Sequence, residues 1–169
     1  MEEIAYRVRG FLTIRGKFLR APVSGSLAVR SDPGSGCLTG DLALGQSDIS
    51  RKVLGARLLH ATAQITPESP VIGHIDGEGR LFATVTVNAV ITRLEACGQT
   101  LISGSSCRTA THAVVPLRSA PGFSLRQGGR LAGSYYRPPF RGGGWLTPVL
   151  NLLGTGPGNT AVIDLLPES

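Results

Sequence analysis

The sequence predicts an all-β fold, an antiparallel β-barrel of about eight or nine strands with one short helix near the C-terminus. Three observations predict it. Apolar and polar residues alternate with period two along most of the chain. The 23 Gly and 11 Pro fall largely between these runs, so turn signals recur about every eight to twelve residues. The longest runs reach about ten residues, each with one apolar and one polar face, and closure into a barrel buries all the apolar faces together. At 169 residues, one domain spanning 1–169 is expected. With 41% apolar and only 17% charged residues, the composition is not that of a disordered chain. The glycines follow no Gly-X-Y period. No stretch approaches the roughly 20 uninterrupted apolar residues of a membrane helix, so no membrane insertion is expected.

The elements follow in order. Ile4, Tyr6, Val8, Leu12 and Ile14 share one parity and Arg7, Arg9, Thr13 and Arg15 the other, a long first strand bent at Gly10 and ended by Ala21-Pro22. Val23, Leu27 and Val29 alternate with Ser24, Ser26 and Arg30 before the turn Asp32-Pro33-Gly34-Ser35-Gly36. Leu38, Leu42 and Leu44 mark a third strand. Gln46 to Leu54 carries no clear period and reads as a short helix or an irregular crossing. Strands follow over Leu59 to Ile65 and Val71 to Ile75, and Asp76-Gly77-Glu78-Gly79 is a hairpin signal. Leu81, Ala83, Val85, Val87, Ala89 and Ile91 form the clearest strand. Gly98 to Arg108 reads as a loop with a short strand near Leu101-Ile102. Ala113 to Leu117 and Gly129 to Arg137 are extended, Pro138-Pro139 is a stop, and Thr160 to Leu166 is the last strand. Trp145 to Leu153 is the one helical patch, with Gly154 as its C-cap.

The formal net charge is +6, from 15 Arg and two Lys against 11 acids. The densest basic group is Arg7, Arg9 and Arg15 with Lys17 nearby. No nucleic-acid motif accompanies it, so it reads as a solvated outer face and no nucleic-acid partner is expected. Cys37, Cys97 and Cys107 are an odd count without metal spacing, and a Cys97–Cys107 bridge is left open. The acidic start Met1-Glu2-Glu3 is unlike a secretory leader, which points to the cytoplasm.

The C-terminal third carries an ordered set of motifs. It runs from Cys107-Arg108-Thr109 through Pro121-Gly122-Phe123, Gly128 to Tyr135 and Pro139-Phe140-Arg141-Gly142 to Trp145-Leu146-Thr147-Pro148 and Gly156-Pro157-Gly158-Asn159-Thr160. Over Cys107 to Leu166 the chain resembles a β-rich domain of unassigned function common in secreted actinobacterial proteins. Over Gly40 to Gly98 only the strand rhythm and the step Val53-Leu54-Gly55 agree. The resemblance implies a second Cys after the Pro-x-Phe step, bridged to the Cys matching Cys107. Here that segment is Gly142-Gly143-Gly144, which implies a cytoplasmic relative that lost the bridge. The family supplies no catalytic residues.

His60, His74 and His112 sit on the polar parity, so no metal site is expected. Asp41, Glu95 and Asp164 are isolated and read as outer-face acids, and no Gly-x-Ser-x-Gly elbow is present. The candidate ligand-binding residues are Tyr135, Tyr136, Phe140 and Trp145, four aromatics within eleven residues of an aromatic-poor chain. One of the two adjacent tyrosines must face inward, and Trp145 would bring the helix over a barrel mouth as a lid. The chain is similar to small β-barrel polyketide cyclases in size, strand count and location only. The functional expectation is a cofactor-independent cyclase that templates a hydrophobic polyketide-like molecule for intramolecular closure, including cycloaddition. The alternatives are a non-catalytic lipid or polyketide carrier, and a structural domain with a filled core. The expected partner is a hydrophobic small molecule, and a homodimer is compatible with this reading.

Overall fold

The computed structural model describes residues 2–14, 19–53 and 56–169. Arg15 and Lys17 of the basic group, Met1, and Leu54-Gly55 lie outside the described residues. The strands are β1 (Glu2–Ile14), β2 (Leu19–Ser31), β3 (Cys37–Leu44), β4 (Gln46–Val53), β5 (Ala56–Pro67), β6 (Val71–Ile75), β7 (Leu81–Ala96), β8 (Gln99–Thr109), β9 (Ala113–Ser119), β10 (Gly129–Arg137), β11 (Phe140–Arg141) and β12 (Gly156–Pro167). A single 3₁₀ turn, Gly144–Leu146, leads into the helix α1 (Thr147–Gly154).

Eight strands close an antiparallel barrel in the order β7-β6-β3-β2-β1-β12-β10-β9, with β9 returning to β7. The closure follows from the alternation. Tyr6, Val8, Leu27, Val29, Leu38, Val71, Leu81, Val85, Val115, Leu117, Leu131 and Leu165 are buried together inside it. Each fully buried side chain of this kind contributes about 1.5–3 kcal/mol. The outward parity is Arg7, Arg9, Ser24, Ser26, Arg30, Thr39 and Asp41 on β1 to β3, all exposed. An apolar interior under a polar outer face is the reverse of a membrane barrel, and no helix among the described residues is long and apolar enough to cross a membrane.

Four further strands build a second layer on the same scaffold. The C-terminal half of β7 leaves the barrel and pairs with β5 from Val87 onward and with β8 from Val90 onward, while β4 extends β5 and β11 extends β8. Ala61, Ile91, Leu94, Ile102 and Cys107 form a separate core there, covered by Leu146 and Leu150 of the helical segment. Bulges at Ile91/Arg93 and Thr62/Ala63 let Ile91 and Leu94, three residues apart, face the same core.

Three local readings are corrected. Gln46–Val53 is a strand, held by its ladder to β5. Its apolar content is low because one face meets solvent, and the buried residue on the other is Ser47, whose hydroxyl donates to the Pro22 carbonyl at 2.6 Å. Gln99–Thr109 is also a full strand rather than a loop, joined to β7 by a two-residue turn in which Cys97 (φ 51°) and Gly98 (φ 79°) are left-handed. Ala21-Pro22 does not end the first strand. It lies inside β2, ahead of the β3 ladder that begins at Gly25, where Pro is tolerated on an edge.

Glycines on the inward parity let the strands approach and bend. A Cβ on Gly133 would stand 1.8 Å from the Pro116 carbonyl oxygen, on Gly25 2.0 Å from that of Ala43, and on Gly10 2.1 Å from that of Val162. All three obstacles are backbone of the neighbouring barrel strand, so none can swing aside. Gly133→Ala is expected to lower stability by about 3 kcal/mol in urea unfolding. Gly77→Ala, whose Cβ meets nothing within 4 Å, is expected to stay within about 0.5 kcal/mol of the parent.

Candidate functional site

The barrel encloses a cavity of about 120 Å³. Its wall is apolar throughout, built from inward residues such as Val8, Leu27, Val85, Val115 and Leu131. Gly40 and Gly73 also line it, and the missing side chains at these two inward positions help keep it open. A dry apolar void of about 150 Å³ in another protein holds benzene, so this one has room for a compact hydrocarbon group. Among the described residues, the only titratable side chains along it are Tyr6 and Tyr135.

The two tyrosines differ. Tyr6 is fully buried, and its hydroxyl donates to the Leu125 carbonyl. That bond holds the segment between β9 and β10 across one barrel end, where Phe123 and Leu125 pack onto the core and the Phe123 amide donates to the Gly79 carbonyl at 2.8 Å. Tyr135 lies on β10 opposite Asn159 of β12. Asn159 is fully buried and donates from Nδ2 to the Gly156 carbonyl at 2.8 Å. The Tyr135 ring belongs to the cavity wall, while its hydroxyl lies outside the apolar surface. That hydroxyl has no hydrogen-bond partner among the described residues. Burial pushes both phenols up to about 12, with Glu2 adding to the rise at Tyr6 and the Arg137 charge opposing it at Tyr135.

The four expected aromatics do not converge. Tyr135 alone reaches the cavity. Tyr136 is 58% exposed, as strand alternation demands of the neighbour of an inward residue. Phe140 packs in the second core, with the Arg137 guanidinium 4.7 Å over its ring. Trp145 is 73% exposed, which corrects its placement as a lid over the barrel. The helical segment turns Leu146 and Leu150 onto the second sheet and leaves Trp145, Val149 and Leu152 outward. Tyr6, Phe123 and Leu125 were not singled out by sequence reasoning. Inward parity marks Tyr6, but nothing local marks the two loop residues.

The isolated acids are outer-face groups. Asp41 binds Arg30 at 2.7 Å. Asp164 binds Arg130 at 2.8 Å, and this bond holds its carboxyl below the usual range. Glu95 lies 2.5 Å from Arg93 and 3.8 Å from His60. His74 stacks on Phe82 across the β6–β7 pair, and His112 is exposed just before β9.

All three cysteines are free thiols. Cys107 is fully buried, and that burial pushes its thiol up. A Cβ placed on Gly143 would lie 3.2 Å from Cys107 Sγ. Disulfide bond lengths put the corresponding atoms about 3 Å apart. Gly143 has φ −89°, which any residue adopts.

Two tests follow from this geometry. In a spectrophotometric titration, two of the three phenols should ionise only near pH about 12. An unfolded chain ionises them near pH 10. The folded state therefore holds its protons longer, and its stability is full below pH about 10 and falls as pH rises towards 12. Separately, Gly143→Cys should oxidise to a Cys107 bridge, seen as a two-dalton mass loss and a fall from four free thiols in the reduced variant to two.

No family model, no curated protein and no solved structure matches the chain.

Proposed function

We propose that this protein binds a compact hydrophobic small molecule inside its barrel, and that the Tyr135 hydroxyl hydrogen-bonds an oxygen at that molecule's outer end. The observation that carries the reading is a wholly apolar cavity bordered by the Tyr135 phenol, whose hydroxyl makes no hydrogen bond among the described residues. A molecule with a hydrocarbon body and one carbonyl or hydroxyl oxygen fits both features.

Within this reading the expected cyclisation is an isomerisation. The wall holds one molecule folded on itself and Tyr135 donates to a carbonyl as charge develops there, so no co-reactant enters and no group leaves. One observation favours the non-catalytic carrier instead, since no carboxylate or imidazole among the described residues lines the cavity. The volume favours a ring-sized group, and a polyketide-length chain would extend beyond the cavity past Tyr135. A cytoplasmic setting is part of the proposal, supported by three unpaired thiols. The position of Gly143 beside Cys107 supports kinship with the bridged secreted domains.

The test is native mass spectrometry of protein from its own cells, together with thermal shift in toluene-saturated buffer. The parent should retain a hydrophobic molecule and be stabilised by toluene. Ala83→Leu, which fills the cavity, should lose both while keeping its melting temperature. Tyr135→Phe should bind the retained molecule about tenfold more weakly, the effect of one hydrogen bond. Its own melting temperature should be unchanged, because the hydroxyl removed has no hydrogen-bond partner among the described residues. A clean mass with no toluene shift would instead assign the void to packing and the domain to a structural role.

A further inference from the structure

A second concavity lies on the outer surface, where the second sheet meets the loop before β9. It has a volume of about 360 Å³ and is lined by Arg108, Arg141, His112, Asn88, Thr66 and Thr111 among others. Arg108 of β8 and Arg141 of β11 are direct cross-strand partners. Their Cβ atoms are therefore about 5 Å apart on one face, and like charges so placed repel.

Five arginines outside the groove are neutralised by a carboxylate. Arg30, Arg80, Arg93, Arg126 and Arg130 each have a carboxylate within 3.2 Å. Arg108 and Arg141 have none among the described residues. Arg108 spends one N–H on the Ser105 carbonyl at 3.1 Å, and Arg141 makes no hydrogen bond or ion pair among the described residues. The nearby acid Glu68 accepts from the Asn88 side-chain amide. Among the described residues, the groove lining holds no carboxylate.

We propose that this groove binds the phosphate or diphosphate group of a small molecule. Guanidinium groups present paired N–H donors that match phosphate oxygens bidentately, and two of them side by side suit a multiply charged oxyanion. The hydroxyls of Thr66 and Thr111 and the amide of Asn88 add neutral donors around the same space. The site lies outside the barrel and does not depend on the cavity being occupied.

Inorganic pyrophosphate is the probe, titrated by calorimetry and thermal shift at low ionic strength, with chloride at matched ionic strength as control. Saturable binding with a rise in melting temperature is expected. Arg108→Gln and Arg141→Gln should each weaken it about tenfold or more. Arg118→Gln, an exposed arginine of β9 outside the groove, should not change it. Without ligand, Arg141→Gln should melt at or above the parent temperature, because a repulsion is relieved. An equal effect of chloride, an equal loss in Arg118→Gln, or a melting temperature well below the parent in Arg141→Gln would overturn the proposal. A mixed-sequence single-stranded oligonucleotide that binds through the same two arginines and outcompetes pyrophosphate would overturn the small-molecule assignment.

Discussion

A sheet with one face of Val and Leu has to bury that face, and in this chain it does so by curving until its two edge strands meet. The closing ladder, β7 with β9, is what the remaining structure depends on. Curvature of this degree brings neighbouring backbones too close for a Cβ at particular inward positions, and glycine occupies them at Gly10, Gly25 and Gly133. The same device opens the interior. Where Gly40 and Gly73 face inward, the wall loses two side chains and a void remains. Closure and cavity are thus two results of one sequence feature.

The long strand β7 joins two cores that are otherwise separate. Leu81, Ala83 and Val85 pack inside the barrel, and Ile91 and Leu94 pack beneath the helix. Ile91 continues the inward parity of the barrel half, and the bulge after it turns Leu94 into the same second core, so one strand serves two layers. This arrangement also fixes the surface. Arg108 and Arg141 are side by side because β8 follows β7 out of the barrel and β11 adds to β8.

The barrel was legible because its strands alternate strictly, from Val8 and Leu27 to Val85 and Leu131. What alternation did not reveal are the strands held by pairing more than by apolar content. The Ser-rich stretch Ser103 to Ser106 lacks a period, and its Cys97-Gly98 turn departs from the usual Asn-Gly or Asp-Gly signal. The aromatic group of Tyr135 to Trp145 was legible as a cluster along the chain but not in space. Strand alternation sends Tyr136 outward, and the helix turns its apolar side to a sheet the sequence did not show. The arginine groove was illegible for a similar reason, since its two charges meet only through a ladder between distant segments.

The placing of β12 between β1 and β10 has a temporal consequence. Tyr6 lies opposite Pro167, so the first strand of this barrel to leave a ribosome waits for its final strand before that side is paired. At about 5–20 residues per second the wait is on the order of ten seconds. During it β1 offers an open edge, paired only with β2 on its other side. Arg7 and Arg9 project from the outward face of that edge. Charges so placed discourage strand-to-strand association between nascent chains. Once β12 docks, these arginines stand on the closed barrel's surface, having guarded an edge that no longer exists.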